Sequence, residues 1–292
     1  MKTRVVDLGG PVHLADFGGE GRPILLLHGL GASHTSWMAV GDALAARGRV
    51  IAPDLIGFGR TPLEGRSPSI ESNVAMLGRL LDSLDGMTRG PVTLVGNSMG
   101  GLVSVMLAAA RPDRIARLVL VAPALPRPPG APVDVQVAAL FSVFLLPVFG
   151  EITMRRRLAQ AGPERVLRDT LKLCGVDADR IKPEVWQATL ALAQERARWP
   201  WATDAYLGAA RSLVRIVSRR ERVHAAIRSL RAPALLTQGT RDRLVPFVVS
   251  EAAARLRTDW KVERMEGVGH VPQIEVPDRW LDIVTRWLPE ES

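Results

Sequence analysis

The segment LVGNSMGG, Leu94 to Gly101, leaves this chain little structural freedom. A run of branched apolar residues ends in the pattern G-x-S-x-G and passes at once into an alanine-rich stretch that continues to Ala110. The run reads as a buried strand and the stretch after it as a helix, so the backbone must turn sharply between them. Small residues at Gly96 and Gly100 permit that turn and hold Ser98 strained and exposed at the end of the strand. The pattern alone arises by chance in many proteins. Its setting between strand and helix makes Ser98 a candidate nucleophile.

The rest of the chain repeats the same alternation. Strand-like runs occur at PILLLHG, RVIAPD, PVTLVGN and ARLVLVAP, then again at APALLTQGTRD and WKVERMEG. Helices are expected after Ser36, from about Ile70 to Leu84, after Ser98, after Pro246 and from about Pro277 to Leu288. Most of the strand runs are apolar almost without interruption, as expected of parallel strands covered by helices on both faces. The fold class is therefore α/β, a mostly parallel doubly wound sheet. From about Val133 to Arg228 the β signal disappears and helical segments take over, after the proline-rich boundary APALPRPPGAP at Ala122 to Pro132. Residues 1–124 and 229–292 are read as one sheet domain and 125–228 as a helical insertion. With 292 residues, 47% of them hydrophobic, the chain can bury the core this requires.

A serine hydroxyl needs an adjacent base, and the base needs a group that fixes its tautomer. Of the five histidines, His13 falls in the N-terminal hairpin region, His28 at a strand end, His34 in the next turn and His224 in a basic helix. His270, in EGVGHVPQ, lies between the last strand and the last helix, on the edge of a parallel sheet where ligands bind. Placement makes it the candidate base. Asp242 ends the strand run LLTQGTRD at the same edge, whereas after LVLVAPAL no carboxylate appears before Asp134. Asp242 is the candidate acid by elimination. The amide of Met99, at a helix N-terminus, and the amide of Leu30, in the glycine-rich loop LLLHGLGAS, are the candidate oxyanion donors.

Composition removes several alternatives. The net charge of +8 comes mostly from arginines, many of them between Arg155 and Arg231, without a nucleic-acid recognition motif or a lysine-rich tail. They read as a solvated basic face, with no nucleic-acid partner. The single cysteine, Cys174, has no internal disulfide partner and no second ligand at metal spacing, so it reads as a free structural thiol. The first residues lack the continuous apolar stretch of a secretory signal, which gives a cytoplasmic expectation. Trp37 reads as core packing rather than a pocket border.

Several segments together resemble the α/β-hydrolase superfamily over nearly the whole chain: HGLG at His28, DLIGFGRT at Asp54, GNSMGG at Gly96, GTRDRLVP at Gly239 and GVGH at Gly267. The resemblance implies a Ser98, Asp242, His270 triad, oxyanion amides at Leu30 and Met99, a helical cap formed by the insertion, and no cofactor or metal. Serine at the nucleophile position argues against the dehalogenases and epoxide hydrolases of that superfamily, which use aspartate. GNSMGG is also similar to the carbon-carbon bond hydrolases that act on meta-cleavage products, but those typically carry tryptophan after the histidine, where this chain has Val271. The leading expectation is an esterase acting on a small-molecule ester or acyl substrate, with a thioesterase, lactonase or perhydrolase on the same triad, or a non-catalytic ligand-binding homologue, as further alternatives.

The stretch VQVAALFSVFLLPVFG, Val135 to Gly150, is apolar on nearly every side, too short to span a bilayer and broken by Pro147. Either it packs wholly inside, or Phe141, Phe144 and nearby leucines line an acyl pocket or a lipid-facing lid, with arginines favouring an anionic surface.

Overall fold

The computed structural model describes residues 1–84 and 90–289. Its sheet has eight strands: β1 (Lys2–Asp7), β2 (Pro11–Gly18), β3 (Pro23–Leu27), β4 (Arg49–Pro53), β5 (Val92–Asn97), β6 (Ile115–Val121), β7 (Ala234–Gly239) and β8 (Lys261–Met265). They lie in the order β1-β2-β4-β3-β5-β6-β7-β8, with β2 antiparallel to both neighbours and every pairing from β4 to β8 parallel. This is the expected doubly wound sheet, extended by a hairpin at one edge.

Successive side chains of a strand point to opposite faces, which explains the uninterrupted apolar runs. Leu25 and Leu27 enter one core, with Leu77, Leu81 and Leu102 from α2 (Ile70–Leu84) and α3 (Met99–Ala110). Ile24 and Leu26 enter the other, against Trp37, Trp280 and Val284. The last two belong to α11 (Pro277–Trp287), which buries one stripe and anchors it by a hydrogen bond from Trp280 Nε1 to Thr237 Oγ1 at 3.1 Å. Trp37 is wholly buried. The helix expected after Ser36 is instead a 3-10 turn, His34–Trp37, followed by the four-residue α1 (Gly41–Leu44). Ser33 caps that turn by accepting from the Thr35 amide, so the local side-chain bond wins over a longer helix.

Between β6 and β7 the described structure is helical: α4 (Val135–Leu145), α5 (Phe149–Leu173), α6 (Pro183–Arg196), α7 (Ala202–Ser218) and α8 (Arg220–Ser229), with a 3-10 turn at Ala178–Arg180. Pro163 interrupts α5, where Gly162 leaves the helical region at φ 74°. After β7 come α9 (Phe247–Ala254) and the short α10 (Pro272–Glu275), which leads into α11. Among the described residues no single helix is long and apolar enough to cross a membrane.

The apolar stretch after Val135 divides. Phe144 is buried with Leu207 and Ala210, and Phe141, Tyr206 and Leu30 pack against that cluster. Leu145, Leu146, Val148, Phe149 and Ile152 are exposed at the bend between α4 and α5.

Candidate active site

Ser98 sits where β5 meets α3, at φ 54° and ψ −114°, a region that costs a non-glycine residue about 1–3 kcal/mol and persists only when its surroundings enforce it. The enforcement is visible. Ser98 N donates to Val121 O at 2.9 Å, and its carbonyl accepts from Gly101, Leu102 and Ala124. A Cβ on Gly100 would run into the carbonyl of Leu27 and stand 2.7 Å from that of His28, so only glycine lets α3 start this close to β3. Gly29 of the following loop also comes near the turn, since a Cβ there would stand 3.2 Å from Ser98 Cβ. Leu30 is the next residue along that loop. Met99 carries the first amide of α3, one of those a helix cannot satisfy internally.

Asp242 and His270 come together across the carboxyl ends of β7 and β8. His270 Nδ1 donates to Asp242 Oδ2 at 2.7 Å, with both side chains buried. The same oxygen accepts from Gln238 Nε2 at 2.7 Å, and Oδ1 accepts from the amides of Leu244 and Val245 at 2.9 and 3.0 Å. Four donors therefore fix the carboxylate. His270 Nε2 is buried and has no hydrogen-bond partner among the described residues. Asn97 links the two halves, donating from Nδ2 to the carbonyls of Val121 and His270, each at 3.1 Å. Asp134, the other carboxylate considered, is instead the N-cap of α4 and pairs with Arg243 at 2.8 Å.

Sequence reasoning passed over three contributors. Gln238 holds Asp242 and is itself held by Ser250, whose hydroxyl donates to its Oε1 at 2.8 Å. Glu275 Oε2 accepts from the amide of Gly269, beside His270, at 2.7 Å. Asp54 gathers His34 Nδ1 at 2.9 Å, His13 Nδ1 at 3.0 Å and the amides of His34 and Arg60. Burial alone would push the Asp54 carboxyl up, but the close contacts of His13 and His34 and the charge of His34 and His28 hold it well below the usual carboxylate range. His13, His34 and Asp54 offer three ligand-type atoms within 4.8 Å of one another. Both carboxylate oxygens, however, already accept backbone amides and the His34 imidazole. The arrangement is that of a buried carboxylate whose oxygens are already taken up by hydrogen bonds. Cys174 is buried, which pushes its thiol up and leaves it a poor nucleophile.

The helical insertion is stitched to these loops. Arg196 of α6 donates to the carbonyls of Gly59 and Gly57 at 3.2 and 2.9 Å, and burial lowers its pKa to about 10 against the opposing pull of Asp54. Arg127 donates to Leu244 O at 2.7 Å, beside Asp242. His270 N donates to Cys174 O at 3.0 Å, so the insertion touches the histidine loop directly.

Comparison with known proteins agrees with this architecture. The chain is 29% identical over 281 residues to the 2-hydroxymuconate semialdehyde hydrolase of Pseudomonas sp. (strain CF600), covering 93% of this chain and 88% of that protein. It is 29% identical over 264 residues to the pimeloyl-[acyl-carrier protein] methyl ester esterase of Aromatoleum aromaticum, covering 87% and 93%. Among solved structures, a thermophilic esterase from Thermogutta terrifontis superposes with a TM-score of 0.73 at 26% identity, covering 99% of this chain and 98% of that one. The model of the alpha/beta hydrolase family matches residues 24–283, which take in six of the eight strands and all of the insertion, and the chain belongs to that family.

Proposed function

We propose that the protein is a serine esterase that cleaves carboxylic esters with apolar acyl groups. Ser98 attacks the ester carbonyl while His270 Nε2 takes its proton. Asp242 keeps the imidazole in the Nδ1–H tautomer, and the amides of Leu30 and Met99 receive the oxyanion. His270 then returns the proton to the departing alcohol, and water cleaves the acyl-enzyme. The observation that carries the reading is the buried His270, its Nδ1 on Asp242 and its Nε2 unpartnered, on a loop tied through Asn97 to the serine turn.

On this reading residues 125–228 form a cap, and Phe141 and Phe144 border the acyl site. Their contact with Leu30 and Tyr206 supports that placement. The test is hydrolysis of p-nitrophenyl esters from acetate to palmitate. Activity is expected across the series, with Phe141→Ala raising KM for the long esters more than for acetate. A second reading, carbon-carbon bond hydrolysis, is favoured by the similarity to the semialdehyde hydrolase. A protein that ignores every ester but hydrolyses a vinylogous diketone would establish that reading instead.

The exposed residues Leu145, Leu146, Val148, Phe149 and Ile152 form an apolar ridge of a kind that soluble surfaces rarely leave without a partner. Arg155 and Arg156 are exposed on the next turn of α5. Apolar and basic groups side by side suit the surface of an anionic bilayer. The double variant Val148→Asp, Phe149→Asp is expected to lose co-sedimentation with phosphatidylglycerol vesicles while keeping acetate ester hydrolysis within about twofold, because the ridge lies outside the reacting centre. Unchanged sedimentation would remove the membrane from the proposal.

A further inference from the structure

Glu275 is a buried carboxylate that the mechanism above leaves unused. Its side chain is fully enclosed, and an enclosed charge is costly unless its hydrogen bonds are well made. Each of its bonds ends on the His270 loop or on the insertion. Oε2 accepts from Gly269 N at 2.7 Å, and Oε1 accepts from Asp177 N at 3.4 Å and from Arg180 Nη1 at 3.5 Å. Arg180 Nη1 also donates to Gly267 O at 3.3 Å, so the same guanidinium reaches the loop from the insertion side.

The segment that follows α5, beginning with Cys174 and Gly175, is wedged between the loops of the acid and the base. Cys174 O accepts from His270 N. Gly175, at φ 70°, has no room for a Cβ, which would strike the carbonyl of Arg241, next to Asp242. A Cβ on Gly269 would in turn stand 2.6 Å from the carbonyl of Gly175. A loop with glycines at 267 and 269 has large backbone freedom of its own, yet here Gly267, Gly269 and His270 are each held at a backbone atom.

We propose that Glu275, bridged by Arg180, is a positioning residue for His270, through which the helical insertion fixes the base. Glu275 and Arg180 hold the loop so that the imidazole keeps Nδ1 on Asp242 and presents Nε2 to the serine. The insertion is thereby part of the catalytic framework as well as a cover. This rests on the reading of His270 as base.

The test is a mutant cycle on p-nitrophenyl acetate hydrolysis. Glu275→Gln turns one of the two donor-facing oxygens into a donor. It is expected to lower kcat roughly 10- to 100-fold with KM little changed, the loss typical of a reacting group displaced by about 1 Å. Arg180→Met, at a half-exposed position, is expected to act in the same direction and carries the test if Glu275→Gln fails to fold. In a His270→Ala background both substitutions are expected to change kcat by less than about twofold, because no imidazole remains to be misplaced. Equal losses in both backgrounds, or a lowered Tm with kcat intact, would overturn the positioning role. If His270→Ala alone left the rate unchanged, the reading of the base would fall first, an outcome distinct from failure of the cycle.

Discussion

Ser98→Ala is expected to lower kcat for ester hydrolysis by about 10⁴- to 10⁶-fold while the fold survives. The alanine keeps the Cβ, so the turn at φ 54° and ψ −114° and its bonds to Val121, Gly101 and Ala124 need not change. What is lost is the oxygen that His270 would deprotonate. The residual rate should come from the Leu30 and Met99 amides orienting the carbonyl for attack by water. Labelling by a fluorophosphonate, which reports an activated serine, should vanish together with turnover. Ser98→Gly should be equally inactive but more stable, since glycine reaches this backbone region with less strain, and urea unfolding measures the difference. Turnover within about tenfold of the parent in Ser98→Ala would end the acyl-enzyme mechanism, because no triad enzyme loses so little with its nucleophile.

The strands and the elbow were legible in the sequence because their signals are local. Continuous apolar runs announce two-sided burial, and Leu25 and Ile24 do enter opposite cores. The turn at Ser98 needs small residues at fixed offsets, and a Cβ on Gly100 would meet Leu27 and His28. Contacts that join distant segments were not legible. The Asp54 hub draws on His13, His34 and Arg60, three separate stretches whose meeting depends on the strand order β2-β4-β3. Glu275 finds Gly269 nearby in sequence but Arg180 only 95 residues away. The apolar stretch after Val135 offered no periodicity to separate its faces, so nothing in it marked Phe144 as buried and Leu145 as exposed. The short α1 shows the opposite failure, where the Ser33 cap and the turn at Trp37 shortened a helix that apolar spacing favoured.

Acid should weaken this fold in a window set by His28 rather than by its buried carboxylates. Leu55 N donates to His28 Nε2 at 3.0 Å, so the ring nitrogen facing it must be unprotonated, while Nδ1 donates to Gly29 O at 2.8 Å. A second proton would set one N–H against another. Burial, reinforced by Arg196 and His34 and opposed by Asp54 and the Gly29 carbonyl, brings the folded pKa from 6.5 to about 4. The unfolded chain takes up this proton near the ordinary value, so between pH 6.5 and 4 the unfolded state binds more protons and stability falls as acid is added. The loss should reach about 3 kcal/mol at the lower end and stop growing there. Asp54 and Asp16, whose pKa values are lowered, lose stability in the same direction, but only as the pH falls through and below the usual carboxylate range. Urea unfolding across this pH range should show the decline in the parent and a flatter profile in His28→Gln, whose amide oxygen can still accept from Leu55. The variant should start from lower stability at neutral pH. His224, whose pKa burial also lowers, contributes equally to both proteins and cannot create the difference. Equal slopes would show that His28 is not the group that titrates. Because His28 immediately precedes Gly29 and Leu30, the strand end that tolerates no second proton also carries the proposed oxyanion amide, so activity should fall with stability as the pH is lowered.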